Sequence, residues 1–296
     1  MVILPSSDCT KTTLVVVGIV RNVERTLEKE IKRIQKEFSP YFRETRFHLV
    51  ESDSSDNTTL ILRRLQSQVD NFTFISCGNL RIQIEHRIAR LRECRNLYVR
   101  HIRNIEGLND AFVLVVDFDI LHKELNSFGV KKALNSMNQW DACFANQKGR
   151  YYDIYALRQH PWNSVDCFDY SEYLRQLGHP NPMHFAIWKK MRRVPRTHPP
   201  IPVNSAFGGM GIYKFACFLE ADYSLSEGDN PNFSEHVAFH FKLRRRQKVL
   251  CILPGFTNFS WNPHNLSSFS LLRKLDNLTK KSYLSCLRSL IRRRLS

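Results

Sequence analysis

The apolar positions of the first 120 residues alternate between two periods. Thr13–Val20 (TLVVVGIV) is an unbroken β-branched run, the pattern of a strand buried on both faces of a parallel sheet. Leu27, Ile31, Ile34 and Phe38 then recur at i, i+4, i+7 and i+11, which predicts a helix that Pro40 ends. Residues 46–51 (RFHLVE) read as a second strand, followed by the polar turn SDSSDN and a helix carrying Leu60, Leu62, Leu65 and Val69. Residues 72–76 (FTFIS) read as a third strand. Ile84, Ile88 and Leu91 line a basic helix that runs to about residue 102. Residues 111–116 (AFVLVV) form a fourth strand that ends in Asp117-Phe118-Asp119.

This β-α-β-α-β-α-β order predicts an α/β fold, with a mostly parallel sheet and helices on both faces. Ligands of such sheets bind outside the carboxyl ends of the strands. Three polar clusters fall there: Arg21-Asn22, the segment from Glu51 to Asp56, and Asp117 to Asp119. The second half is less regular. A strand is expected at 140–145, then a loop-rich stretch to about 204, the segment NSAFGGMG, a helix with Glu235 and His236, and a strand at 248–253. The last thirty residues are a basic amphipathic tail.

Composition narrows the picture. The 296 residues are 43% hydrophobic with 20 Phe and 10 Tyr, enough for a real core and too aromatic for a disordered chain. The eight cysteines show no CxxC spacing and several sit in apolar runs, so buried free thiols are expected rather than a zinc site. No segment has the length of a membrane span, and the N-terminus lacks the features of a signal peptide. A cytoplasmic protein is therefore expected. Net charge is +16, which suits nucleic acid, an anionic membrane surface or a phosphate-bearing small molecule.

Several residues can carry chemistry. Asp117 and Asp119 lie two apart at the end of a buried strand, so both carboxylates can reach one Mn2+ or Mg2+, hard cations that share phosphate oxygens. Glu51 and Asp53 can bond a base or ribose, or simply cap the next helix. Arg95 and Asn96, in RLRECRN, can contact phosphate, or belong to a solvated basic face. Gly208 and Gly209, in GGMG, can let backbone approach a ligand, or form an ordinary turn. Asp153 lies among aromatics and can touch a ligand or be structural. His236 and His240 have the i, i+4 spacing of zinc proteases, but Val237 stands where the required Glu would be.

In order, VGIVRNVE, HLVESDSSDNTT, RLRECRN, VLVVDFD, NSAFGGMGIYK and SEHVAFHFKL resemble the GT-A glycosyltransferases. Within them the chain is similar to capsule-type mannosyltransferases and large-virus glycosyltransferases, over about residues 13–260. The resemblance implies a GT-A (Rossmann-like) domain at 1–265, with a nucleotide-binding half (13–120) and an acceptor half (121–265), before the tail at 266–296. It implies transfer of a sugar from a nucleotide-diphosphate sugar donor to a glycan, lipid-linked or protein acceptor. Asp117 and Asp119 would hold the metal, and Arg21 with Glu51 and Asp53 the nucleoside. Glu235 would take the acceptor proton. A metal histidine is also implied, His236, with His240 and His264 competing for the role. The tail, with leucines beside many basic residues, six of them in KKSYLSCLRSLIRRRLS, suggests peripheral membrane contact. The alternative function is a basic nucleic-acid-binding protein or a metal-dependent phosphoryl-transfer enzyme, but no helix-turn-helix, RRM or KH signature supports a nucleic-acid partner.

Overall fold

The computed structural model describes residues 11–108 and 110–259. The basic tail and His264 lie outside the described residues. The elements run β1 (Thr13–Val20), α1 (Leu27–Phe38), β2 (Glu44–Glu51), α2 (Thr58–Gln68), β3 (Phe72–Ser76), α3 (Arg87–Arg103), β4 (Phe112–Val116) and α4 (Ser127–Asn135). They continue with β5 (Ala142–Asn146), α5 (Cys167–Gln176), α6 (Pro182–Ala186), β6 (Ile201–Pro202), β7 (Met210–Lys214), α7 (Ala216–Glu220), α8 (Glu235–Arg245) and β8 (Leu250–Thr257).

One eight-stranded sheet, in the order β3-β2-β1-β4-β7-β5-β8-β6, runs through both halves. β3, β2, β1 and β4 are parallel, as their unbroken apolar runs predict. β7 is antiparallel to β4 and to β5, so the parallel pattern is interrupted beside β4. β5 and β8 are again parallel, and β6 closes the edge antiparallel. Alternate residues of the central strands enter two cores on opposite faces. Val15, Val17, Val113 and Val115 pack with α3 and the second half of the chain. Leu14, Val16, Leu114 and Val116 pack against α1, α2 and α4.

The helices correct the sequence reading in two places. α2 turns Leu62 and Leu65 inward, while Leu60 is 61% exposed. Ile84 precedes α3, Ile88 and Leu91 are half-buried, and the helix instead buries Arg90, Arg92 and Arg95 with Cys94, Tyr98, Val99 and Ile102. The stretch read as loop contains α5 and α6. β8 extends past its predicted end through Pro254-Gly255, where a register shift against β5 absorbs the proline that an unbroken ladder could not hold. Cys94, Cys143, Cys167, Cys217 and Cys251 are buried free thiols, and Cys77 is a half-buried one. No helix among the described residues is long and apolar enough to cross a membrane.

Candidate active site

The central strand β4 leads into the site. Its ladder continues one residue past the strand, where Asp117 N donates to Gly209 O at 3.0 Å. Phe118 turns the other way and is fully buried in the second core, and its carbonyl accepts from Thr26 Oγ1 at 2.8 Å. Buried His122 approaches Asp117 O through Nε2 at 3.0 Å. The apolar middle residue is thus anchored in the core, while Asp117 stays partly exposed and Asp119 exposed on either side of it. The Asp117 side chain keeps 26% exposure. Burial, and next the charge of Asp119, push its carboxyl up to about 8, with Arg95 opposing.

Arg95 reaches this strand end from α3. It is 2% exposed and directs all three nitrogens to partners. Nε donates to Glu235 Oε1 at 2.9 Å, Nη1 to Tyr98 Oη at 3.2 Å, and Nη2 to Asp117 Oδ1 at 3.5 Å. The rings of Phe207 and Tyr223 each lie 5.6 Å from its guanidinium carbon. A buried cation needs such company, because desolvation is offset only where every donor is used. Arg95 is therefore a bridge between two acids 118 positions apart in the chain. Arg92 helps place the second of them: it donates to the carbonyls of Pro231 (2.9 Å) and Phe233 (3.0 Å), just before α8 opens at Glu235.

His236 follows Glu235 on α8, stacked on Phe207 with ring centroids 3.8 Å apart. Both its ring nitrogens are buried with no hydrogen-bond partner among the described residues. Burial first, then the charges of Arg95 and His240, hold its pKa well below the ordinary value, so it is neutral. His240 is fully satisfied instead, by Ser205 Oγ and Tyr213 Oη at 2.9 Å each. Among the described residues no group of three or more His, Cys, Asp or Glu is gathered to hold a metal, so Asp117, Asp119 and His236 do not form a common cage.

Gly208 and Gly209 flank the site on the β7 side, with φ of +70° and +84°. A side chain at Gly208 would meet Gln147 Nε2 at 2.6 Å and Ala145 O at 2.7 Å, so this left-handed, tightly packed turn requires glycine. Gly208 N donates to Asp153 Oδ2 at 2.9 Å, and Gly208 O accepts from Gln147 and from Asn258. Asp153 thus fastens the glycine turn. Tyr152 was missed by sequence reasoning. Burial, then the charges of Asp153, Asp117 and Asp119, push its phenol up, which puts it in the field of the acid pair. The signal was the aromatic run around Asp153 in RYYDIY.

At the ends of β1 and β2 the acids are differently employed. Glu51 accepts from Ser54 N at 3.0 Å and from Ser76 Oγ. Asp53 has φ +59° and accepts from Arg81 N and Ser52 Oγ at 2.9 Å each, with Arg90 Nε at 3.7 Å. Burial would raise its carboxyl, but these hydrogen bonds and the charges of Arg90 and Arg21 hold it below the ordinary range. Arg21 Nε donates to Asp53 O at 3.2 Å, and Asn22 is laced to Ser54 and Ser55. Arg21, Glu51 and Asp53 therefore meet, as a braced loop pair. Asn96 is turned to another segment: it accepts from Tyr223 N at 2.8 Å and donates to Ser224 Oγ at 3.1 Å.

No family model and no curated protein matches the chain. Among solved structures it is similar to residues 1–349 of S. aureus TarS in complex with UDP-GlcNAc. There the identity is 15% and the TM-score 0.49, over 87% of this chain and 62% of that one. It is also similar to the mannosyltransferase PcManGT from Pyrobaculum calidifontis in complex with GDP-Man and Mn2+, at 13% identity and TM-score 0.48, over 84% and 57%. A third likeness is to M. tuberculosis glucosyl-3-phosphoglycerate synthase, at 13% and 0.40, over 84% and 70%. The chain spans about three fifths of the TarS fragment's length. These are structures of GT-A glycosyltransferases, and at such scores the likeness is one of fold alone. The chemistry has to be read from this chain's own residues.

Proposed function

We propose that the protein is a metal-dependent glycosyltransferase of the hexosyltransferase class, moving a sugar from a nucleotide-diphosphate sugar to a glycan, lipid-linked or protein acceptor. The observation that supports this reading is the Asp117–Arg95–Glu235 bridge at the carboxyl end of β4. There, one member of a carboxylate pair and a candidate base are joined through a single buried cation.

The residues fit a divalent cation. Asp117 is a carboxyl whose ionisation is disfavoured by burial and by its neighbour Asp119 and favoured by one arginine, and a cation would stabilise its charged form. Two carboxylates suffice for Mg2+ or Mn2+, which complete their shell with water and donor phosphate oxygens. On this reading His236 is not needed as a ligand, and its place is beside Glu235. The bound ion would supply Lewis-acid stabilisation of the departing nucleoside diphosphate.

The chain's own groups do the rest. Glu235 takes the proton from the acceptor hydroxyl if the transfer inverts. Its Oε1 is held by Arg95 and approached by His236 Nε2 at 3.9 Å, which leaves Oε2 for the acceptor. Arg95 fixes that carboxylate and Asp117 in one frame, which makes it a positioning residue rather than a direct phosphate ligand. The Gly208-Gly209 turn brings backbone close to the cleft without a side chain in the way. The Arg21 and Glu51–Asp56 loops form the wall where a nucleoside would lie, with Arg21 exposed on it.

The test is release of nucleoside diphosphate from a panel of UDP- and GDP-sugars, with Mn2+, with Mg2+ and with EDTA. The reading requires metal-dependent turnover of at least one donor. The same release in EDTA, or none from any donor, would remove it.

A further inference from the structure

The flank of the cleft opposite the nucleoside loops carries a concentration of positive charge that the transfer chemistry has not used. The sheet order sets the geography. The β2 and β1 loops lie on one side of Asp117, and β7, β5 and β8 on the other. Just past β5, residues 147–151 run back toward the site, and residues 188–198 (WKKMRRVPRTH) pack beside them. Tyr151 N donates to Arg192 O at 2.8 Å, and Arg150 pairs with Arg193 in an antiparallel bridge. The two segments hold seven Lys and Arg and no Asp or Glu.

The internal counter-charge is small. Glu124 serves Lys148 at 3.0 Å and Arg196 at 3.3 Å, both more than half exposed. Arg192 lies over the Trp162 ring at 4.0 Å. Arg150 and Arg193 are exposed, opposite each other, and show neither ion pair nor hydrogen bond of their side chains among the described residues. Like charges held across a backbone bridge are unfavourable, so the arrangement suits an anion that is not part of the protein. Paired guanidinium groups match the oxygens of a phosphate better than a point charge does. The patch also adjoins the chemistry. Arg150 is three residues from Asp153, at most about 10 Å along extended backbone, and Asp153 is bonded to the glycine turn beside Asp117.

We propose that Lys148, Arg150, Arg193 and Arg196 form an acceptor subsite that selects a phosphate-bearing sugar or glycan. The assignment to the acceptor rests on the transferase reading, because the donor's diphosphate belongs at Asp117 and Asp119, on the other side of the glycine turn. Recognition is by the phosphate; the sugar hydroxyl that attacks lies toward Glu235.

The test uses the full chain with hexose 6-phosphates and the same hexoses unphosphorylated. Both sets serve as ligands in calorimetry and as acceptors with the donor that the panel identifies. Phosphorylated sugars should bind and accept, the parent hexoses about tenfold or more less well, and Arg150→Gln/Arg193→Gln should erase that preference. A control pair of exposed residues on α1 and α2, Lys32→Gln/Arg63→Gln, removes the same charge and should leave the preference intact. Equal binding of the two sugar sets, failure of both, or an equal loss in the control overturns the subsite. Binding to phosphatidylglycerol vesicles or to single-stranded DNA, without hexose phosphate binding, overturns it in favour of a membrane or nucleic-acid surface. Binding of UDP and GDP with Mn2+ by the wild-type protein is measured separately. If that fails while the arginine-dependent phosphate preference persists, the acceptor assignment falls with the transferase reading and not through the patch.

Discussion

Two strand ends in this molecule carry the same kinds of residue and put them to opposite use. After β2, Glu51 and Asp53 are spent on their own backbone and on Ser52, Ser76 and Arg90, and the carboxyl of Asp53 is stabilised as the anion. After β4, Asp117 has one cation 3.5 Å away and a like-charged neighbour, and its carboxyl is destabilised as the anion. An acid whose hydrogen bonds are complete braces the fold. An acid held against its own preference has capacity left for a ligand, and keeps it only because the strand and the Phe118 anchor hold it there. Position at a strand end does not distinguish the two; their partners do.

The sharpest way to break the contrast is to neutralise both ends in turn. Asp117→Asn or Asp119→Asn should lower metal-dependent turnover by roughly a thousandfold, the several kcal/mol that a charge-neutralising ion contributes at a leaving group. The unfolding midpoint of the metal-free Asp117→Asn protein should hold or rise, because a disfavoured charge is gone. A variant that unfolds early while keeping its turnover would place Asp117 with the scaffold.

Glu235→Gln probes the far end of the Arg95 bridge. We expect the turnover number to fall about a hundredfold or more, with donor affinity kept, since the amide retains the hydrogen bond to Arg95 but cannot accept a proton. If donor binding drops in step with turnover, Glu235 acts on the nucleotide side and the base lies elsewhere.

Asp53→Asn should show the reverse profile. Loss of the charge that faces Arg90 and the Arg81 amide should cost about 2 kcal/mol in urea unfolding, within the usual range for hydrogen bonds to charged groups. Turnover per folded molecule should stay within a few-fold. A large fall in donor affinity at unchanged stability would turn this loop from wall into binding site.

The smallest effect concerns pH, and it sharpens the scaffold side. His48 in β2 stacks on His101 of α3 with centroids 3.5 Å apart, and burial, then His101, lower its pKa from 6.5 to about 3. The unfolded chain binds this proton below pH 6.5 and the folded one does not. Stability therefore falls as pH drops from about 6.5 toward about 3. At pH 5 the His48 contribution should be about 1–2 kcal/mol, and His48→Phe should flatten the dependence of the melting midpoint between pH 7 and 5. An equal slope in that variant would trace the acid sensitivity to other groups, such as His240.

The α/β alternation was readable because burial on both faces leaves an unbroken apolar run, as in Thr13–Val20, and one buried helix face leaves a 3.6-residue period, as in α1. The same rule failed in α3, where the period follows half-buried Ile88 and Leu91 while three arginines are inside. An arginine is hydrophilic in sequence whether its partner is water or Glu235. Leu60 misled in the opposite direction, since an apolar residue does not announce its own exposure.

By itself the sequence determined the strand runs, the helix spacing and the position of Asp117-Phe118-Asp119 at the end of a buried strand. All are short-range properties, set by steric preference and by which side of an element is apolar. Only the tertiary structure decided that β7 would run antiparallel beside β4 and bring the Gly208-Gly209 turn against Asp117. Nor did the sequence show that Arg95 would join Asp117 to a glutamate 140 residues further on, that Glu51 and Asp53 would be hydrogen-bonded to their neighbouring loops, or that Arg150 and Arg193 would pair across a backbone bridge. Those outcomes depend on which charged and hydrogen-bonding groups become neighbours, and on how much water is excluded between them. That is settled only when the whole chain has packed.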